Sequence, residues 1–149
     1  MDIRIADRTD VAWLAQLLWL NAAPEQQAQQ PVESFAADLD GWWIDNPSHM
    51  AFVAQAGGGA LVGMAWLAVV PRVPRPGITT RRSADIQSVF VVPEERGKGI
   101  GSALVRAASD HAFQLGVGHV TVHSGRKAVP VYERLGFASS RQLLQKEFK

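Results

Sequence analysis

Ile86-Gln87-Ser88-Val89-Phe90-Val91-Val92-Pro93-Glu94-Glu95-Arg96-Gly97-Lys98-Gly99-Ile100-Gly101-Ser102 reads as a strand, a glycine-rich turn and the start of a helix. The apolar run from Ile86 to Val92 has strand character, and Pro93 closes it. Ile100, Leu104, Ala107, His111 and Leu115 then recur at helical spacing as one buried stripe, which Gly116 and Gly118 end. The position of the turn gives it chemistry. A helix N-terminus leaves about four backbone N–H groups without partners, and together with the helix dipole these attract anions. Glycines at 97, 99 and 101 allow a diphosphate to approach the backbone, and Arg96 and Lys98 add positive charge. Residues 96–102 are therefore read as a phosphate-binding turn. The competing reading is a glycine-rich helix start with no ligand.

Two nucleotide-binding patterns fail on the residues. A P-loop requires Gly-x-x-x-x-Gly-Lys-Ser/Thr, a string the chain lacks. A dinucleotide fingerprint requires Gly-x-Gly-x-x-Gly and an acidic residue ending the next strand. Here the third glycine position is Ser102, and the next strand ends in His123-Ser124.

Working outward, Ile3 and Ile5 alternate with Asp2 and Arg4 as a short strand. Thr9 or Asp10 is a candidate N-cap for a helix carrying Val11, Leu14, Leu17 and Leu18. Gln26 to Gln30 reads as a polar connector. A second helix runs from Pro31 through Phe35, Leu39 and Trp42 and stops before Pro47. Met50 to Ala54 is a strand, Gly57-Gly58-Gly59 a hairpin turn, and Leu61 to Val70 a long, mostly apolar and hence central strand. Residues 71–83 form a long loop with Arg72, Arg75, Arg81 and Arg82. His119 to His123 reads as a strand, Ala128 to Leu135 as a short helix, and 140–148 as a last strand. The early strands can pair antiparallel through hairpins. The strand-helix-strand unit from 85 to 123 places its two strands parallel, with a right-handed crossover. A mixed sheet with helices on both faces follows.

The 149 residues amount to one domain, 1–149. Fifteen basic against fourteen acidic residues give a net charge of +1, which argues against a dedicated nucleic-acid binder. The absence of cysteine removes disulfides, thiolate metal sites and a cysteine nucleophile, and fits a reducing compartment. The N-terminus lacks a signal-peptide apolar region, and the longest apolar stretch, Ala60 to Val70, is too short to span a bilayer. The expectation is a cytoplasmic protein without nucleic-acid or membrane partners.

The run Val89 to Gly101 resembles the signature of the GNAT superfamily of N-acetyltransferases, Gln/Arg-x-x-Gly-x-Gly/Ala after an apolar strand. Arg96, Gly99 and Gly101 satisfy it. About thirty residues on, Pro130-Val131-Tyr132-Glu133-Arg134-Leu135-Gly136-Phe137 resembles the family's second motif, Tyr-x-x-x-Gly-Phe, and the element order is similar from end to end. The resemblance implies an α/β, GNAT-like fold: a mixed sheet of about 6–7 strands flanked by about four helices, with a splayed parallel pair at the coenzyme site. It implies transfer of an acetyl group from acetyl-coenzyme A to a primary amine of a small molecule, by direct attack in a ternary complex and without a metal. A silent coenzyme A-binding sensor and a protein or peptide acetyltransferase are the alternatives. Carried over, Val89, Phe90 and Val91 meet the pantetheine arm. Arg96, Gly97, Lys98, Gly99, Ile100, Gly101 and Ser102 hold the pyrophosphate. Ser124 stands near a family asparagine that contacts the arm. Tyr132, the only tyrosine in the chain, matches the family tyrosine near the sulfur, where a phenol can protonate the leaving thiolate. Asp85 matches the place of a catalytic glutamate, with a shorter reach that favours a water relay. His123, Gln87 or no protein base at all are the rivals. The first two helices usually wall the acceptor pocket in this fold, which draws in Trp13, Trp19, Trp42 and Trp43, with plain core packing as the alternative. Adjacent tryptophans point about 100° apart on a helix, so one can be buried while the other faces a cleft. The arginine loop is open to acceptor recognition, to the coenzyme 3′-phosphate or to neither, and the assembly to monomer or homodimer.

Overall fold

The computed structural model describes residues 1–148. The order is β1 (Asp2–Ile5), α1 (Val11–Asn21), α2 (Pro24–Gln29), α3 (Val32–Asp45), β2 (His49–Gln55), β3 (Leu61–Pro71), β4 (Arg82–Val91), α4 (Ile100–Gln114), β5 (Val120–Val122) and α5 (Val129–Arg134). One five-stranded sheet runs β1-β2-β3-β4-β5. The first four strands pair antiparallel, and β4 pairs parallel with β5. This is the mixed α/β architecture expected, with the long apolar β3 at its centre.

The sheet separates two apolar clusters. On one face Leu14 and Leu17 of α1 and Leu39 and Trp43 of α3 pack on Val53, Met64 and Trp66. On the other, Leu104, Val105 and Ala108 of α4 pack on Ala65, Leu67 and Ile86, with α5 alongside through Tyr132. Gly63 permits α4 to approach closely, because a Cβ there would lie 3.0 Å from the Leu104 side chain. A bidentate ion pair joins β1 to the entry of α1: Arg4 donates to both carboxylate oxygens of Asp10, at 2.8 and 2.9 Å.

Several local expectations shift. Asp10 holds the N-cap position of α1 but makes no side-chain cap bond, and Asp7 caps the short 3-10 turn before it, Arg8–Asp10, accepting the Thr9 N–H at 2.8 Å. The polar connector contains α2, started by Pro24 at its first turn and tied by the Gln26 side chain to the Ala23 N–H. Pro71, Arg82 and Ser83 belong to strands, so the arginine loop spans only 72–81. The strand expected over 140–148 does not form, which leaves, among the described residues, five strands against the 6–7 expected, and five α-helices. A strand needs a paired neighbour, and β5 at the sheet edge is three residues long. Leu143 and Leu144 are adjacent rather than alternating, and both are exposed. Among the described residues, no helix is long and apolar enough to cross a membrane.

Candidate active site

β4 carries the first element of the site. Its pairing with β3 is regular from Pro71↔Arg82 to Trp66↔Gln87, then slips so that Met64 pairs with Phe90. The extra residue is accommodated at Ser88, whose φ of 54° is the one positive value outside glycine among the described residues. Side-chain parity shows the consequence. Ile86 packs on the α4 face and Phe90 on the α1/α3 face, although residues four apart on a regular strand share a face. The bulge has inverted the strand, which puts Val89 and Val91 with α4.

The same segment leaves its parallel partner. β4 and β5 pair only from Ala84↔Val120 to Ile86↔Val122. Beyond Ile86 the outer edge of β4 has no strand beside it, so its backbone groups over 87–91, apart from the Val91 carbonyl that Arg96 engages, are open to another chain or ligand.

The glycine-rich turn follows immediately. Pro93–Glu95 form a 3-10 turn, and Gly97 and Gly99 both adopt φ of 80°. That left-handed geometry is what glycine allows at little cost. Gly99 is the N-cap of α4, and no side chain caps the helix. A serine or aspartate there would satisfy one of the free N–H groups itself; a glycine leaves the N–H groups of Ile100, Gly101 and Ser102 for a ligand. Arg96 donates from Nε to the Val91 carbonyl at 2.8 Å and lies over the Phe90 ring, 5.4 Å from its centroid. It thus fastens the turn to the end of β4. Lys98 pairs with Glu95 at 2.9 Å.

These elements surround a cavity of about 490 Å³. Val89, Phe90 and Val91 line it, as do Arg96, Gly97, Gly99, Ile100, Gly101 and Ser102. Tyr132 of α5 closes one side. Its ring packs edge-on against Phe137, with centroids 5.6 Å apart, and its hydroxyl has no protein hydrogen-bond partner among the described residues. Partial burial pushes the phenol above its ordinary value of 10.0. Asn21, at the end of α1, also lines this cavity. Since α1 and α4 lie on opposite faces of the sheet, the cavity passes through the gap where β4 has parted from β5.

A second cavity, about 370 Å³, adjoins it on the α1/α3 face. Gln87 and Ser88, the residues next to Val89, form part of its wall. Phe35, Asp38 and Trp42 of α3 face them, with His49 and Trp66 below. The two neighbouring tryptophans of α3 divide: Trp43 is buried against Trp66, centroids 5.1 Å apart, while Trp42 is 41% exposed and faces the cavity.

Other residues singled out from the sequence lie outside both cavities. The Asp85 carboxylate accepts from Thr121 Oγ1 at 2.9 Å and from Gln87 Nε2 at 3.0 Å. It reaches the second cavity only through Gln87. The Ser124 hydroxyl donates to the Gly125 carbonyl at 2.8 Å, His123 is exposed, and Lys98 is taken by Glu95. Arg81 donates to the Val73 carbonyl at 2.6 Å and Arg82 to the Leu115 carbonyl, so neither points into a cavity. Asn21, Asp38, His49 and the bulge at Ser88 were not singled out. A polar residue at a helix end, an aspartate on a helix surface, a lone histidine and a serine in an apolar strand give no local signal.

Comparison with known proteins agrees with this geometry. A glucosamine 6-phosphate N-acetyltransferase of Trypanosoma brucei brucei is 37% identical over 86 residues, covering 57% of this chain and 56% of that protein. A mycothiol acetyltransferase of Pseudarthrobacter chlorophenolicus is 32% identical over 130 residues, covering 85% of this chain and 38% of that protein. The chain thus spans about half or less of the length of these relatives. Among solved structures, a Trypanosoma brucei acetyltransferase superposes with a TM-score of 0.76 at 23% identity, covering 99% of both chains. An acetyltransferase of Clostridium acetobutylicum crystallised with acetyl-CoA superposes with a TM-score of 0.75 at 18% identity, covering 98% of this chain and 95% of that one. These likenesses show the fold. The profile of the acetyltransferase (GNAT) family matches residues 13–137, the stretch that holds the bulged strand, the uncapped turn and Tyr132, and the chain belongs to that family.

Proposed function

We propose that the protein is an N-acetyltransferase that uses acetyl-coenzyme A to acetylate a primary amine of a small molecule. One observation carries the reading: the free edge of β4, the uncapped turn and the Tyr132 hydroxyl all meet one cavity, and a second cavity adjoins it at Gln87–Ser88. The residues suit the coenzyme. The turn offers free N–H groups and two left-handed glycines, around which a Cβ would meet no protein atom within 4 Å. The edge of β4 offers unpaired peptide groups for an amide-bearing arm.

Acetyl-coenzyme A supplies an activated acetyl thioester when bound. The N–H groups of Ile100, Gly101 and Ser102 hold the diphosphate, and the Arg96 guanidinium adds charge beside it. Backbone groups of Val89 and Val91 pair with the pantetheine arm, which fixes the reacting carbonyl beside the bulge. The amine nitrogen forms its bond to the acetyl carbon as the carbon–sulfur bond breaks. Tyr132 donates its proton to the departing sulfur, and the second proton shed by the acylated nitrogen reprotonates the tyrosinate through water. The incoming ammonium must first lose a proton. We assign that step to Asp85, acting through water at Gln87, since Gln87 both bonds the Asp85 carboxylate and lines the acceptor cavity.

Thiol release from acetyl-coenzyme A across a panel of small primary amines tests the reading. Amine-dependent release is expected. Tight coenzyme binding with no release for any amine would replace the enzyme by a binding module.

A further inference from the structure

We infer that the acceptor is a monocationic amine on a compact apolar body, an arylalkylamine in chemical class, and not an amino sugar phosphate or a polyamine. The inference rests on the acetyltransferase reading and concerns the 370 Å³ cavity beside the bulge.

The cavity wall supplies ring and alkyl surface from Phe35, Trp42 and Trp66, with Leu18 and Leu39. Trp42 is set edge-on to Trp66, centroids 6.2 Å apart, and to His49 at 4.8 Å. Such a wall favours a flat apolar body, and its indole rings add affinity for an ammonium. Asp38 is the one carboxylate on the wall, and no lysine or arginine among the described residues lines it. The neighbouring Asp40 is engaged by Arg8. Asp38 has no cationic partner among the described residues. Instead Gln30 Nε2 donates to its Oδ2 at 2.6 Å, and the Gln30 carbonyl is held by the Trp19 indole N–H at 2.9 Å. The carboxylate is therefore oriented while its charge remains uncompensated.

Charge count decides between acceptor classes. An acceptor phosphate would lie among aromatic rings, beside an aspartate and without a cation, which is costly. Arg82, the one cation on β4, does not relieve this. Arg82 is five residues from Gln87 along β4, about 17 Å at strand rise, and its guanidinium is bonded to the Leu115 carbonyl. A polyamine would bring several ammonium groups to a single carboxylate. One ammonium with an apolar body matches one carboxylate with an apolar wall.

The test uses phenethylamine, its neutral analogue phenethyl alcohol, glucosamine 6-phosphate and spermidine. Binding is followed by quenching of tryptophan fluorescence, and acetylation by thiol release. Phenethylamine is expected to bind more tightly than the alcohol and to give the highest kcat/KM of the three amines. Asp38→Asn, a change at an exposed position, should weaken phenethylamine about fivefold and leave the alcohol unchanged. Trp42→Leu should weaken both about tenfold. Preference for glucosamine 6-phosphate or spermidine overturns the inference. So does equal binding of amine and alcohol, or no binding of phenethylamine. Phenethylamine binding that depends on Asp38, with no acetylation, supports the ligand class and overturns the enzymatic reading instead.

Discussion

Tyr132 faces the larger cavity with a hydroxyl that no protein group among the described residues engages. Replacing it by phenylalanine keeps the ring against Phe137 and removes only the proton. Tyr132→Phe is therefore expected to lower kcat about a hundredfold while coenzyme affinity, measured by calorimetry, stays near wild type. Unchanged kcat would remove Tyr132 from the chemistry. Burial raises the phenol's pKa, so the proton-donating form persists to higher pH than in free tyrosine. The alkaline limb of kcat is expected above pH 10, and because the chain has one tyrosine, ultraviolet difference titration reads that group directly. The same shift lowers stability as pH rises above 10, where the unfolded chain ionises first. Tyr132 was legible in the sequence because its spacing to Gly136-Phe137 is local. Asp38 and Asn21 were not. Their meaning lies in what faces them across a cavity, and neighbours in sequence carry no trace of that.

Two short elements, the turn and the bulge, shape the site. At Gly99 an added Cβ meets no protein atom, yet φ of 80° opposes any β-branched residue. Gly99→Val is thus expected to cost about 1–2 kcal/mol of stability and to abolish coenzyme binding by calorimetry, because the new side chain enters the space above the helix N-terminus. A folded variant with normal affinity would refute the phosphate assignment. The turn could be read from sequence because glycine spacing and an uncapped helix start report their own geometry. The bulge could not. Ser88 stands in a run that reads as regular strand, and its left-handed backbone follows from the β3 register and from packing on both faces. Its strain should be measurable: Ser88→Gly is expected to raise stability by a few tenths to about 1 kcal/mol in urea, and Ser88→Val to lower it by about 1–2 kcal/mol. Opposite signs would mean that the bulge is not strained at this residue.

At the scale of the molecule, the ion pair between Arg4 and Asp10 fixes the first strand to the first helix. The Arg4 guanidinium holds the Asp10 carboxyl below its ordinary value of 3.8, against a smaller upward push from burial. A depressed carboxyl contributes stability in full above its unfolded value, and that stability is lost as pH falls through the folded value. Arg4→Met is expected to cost about 1–3 kcal/mol at neutral pH. The gap to wild type in urea titrations should narrow as the pH drops below about 4. A gap independent of pH would mean that packing of the Arg4 stem accounts for the loss. The layered sheet was visible in the sequence, since β3 is a long apolar run and α4 carries an apolar stripe at helical spacing. The absent strand at 140–148 was not, because strand formation depends on a partner edge that no local pattern reveals. The smaller cavity draws on residues from Leu18 to Ser88 and exists only once α1, α3, β3 and β4 have assembled.

The larger cavity passes through the gap between β4 and β5, and the smaller one adjoins it at Gln87–Val89 on the α1/α3 face. On the proposed function donor and acceptor occupy separate, adjoining cavities, and neither needs to leave before the other arrives. Initial-rate plots should show lines that intersect rather than run parallel. Free coenzyme A should compete with the donor alone, and a non-reactive acceptor analogue with the amine alone.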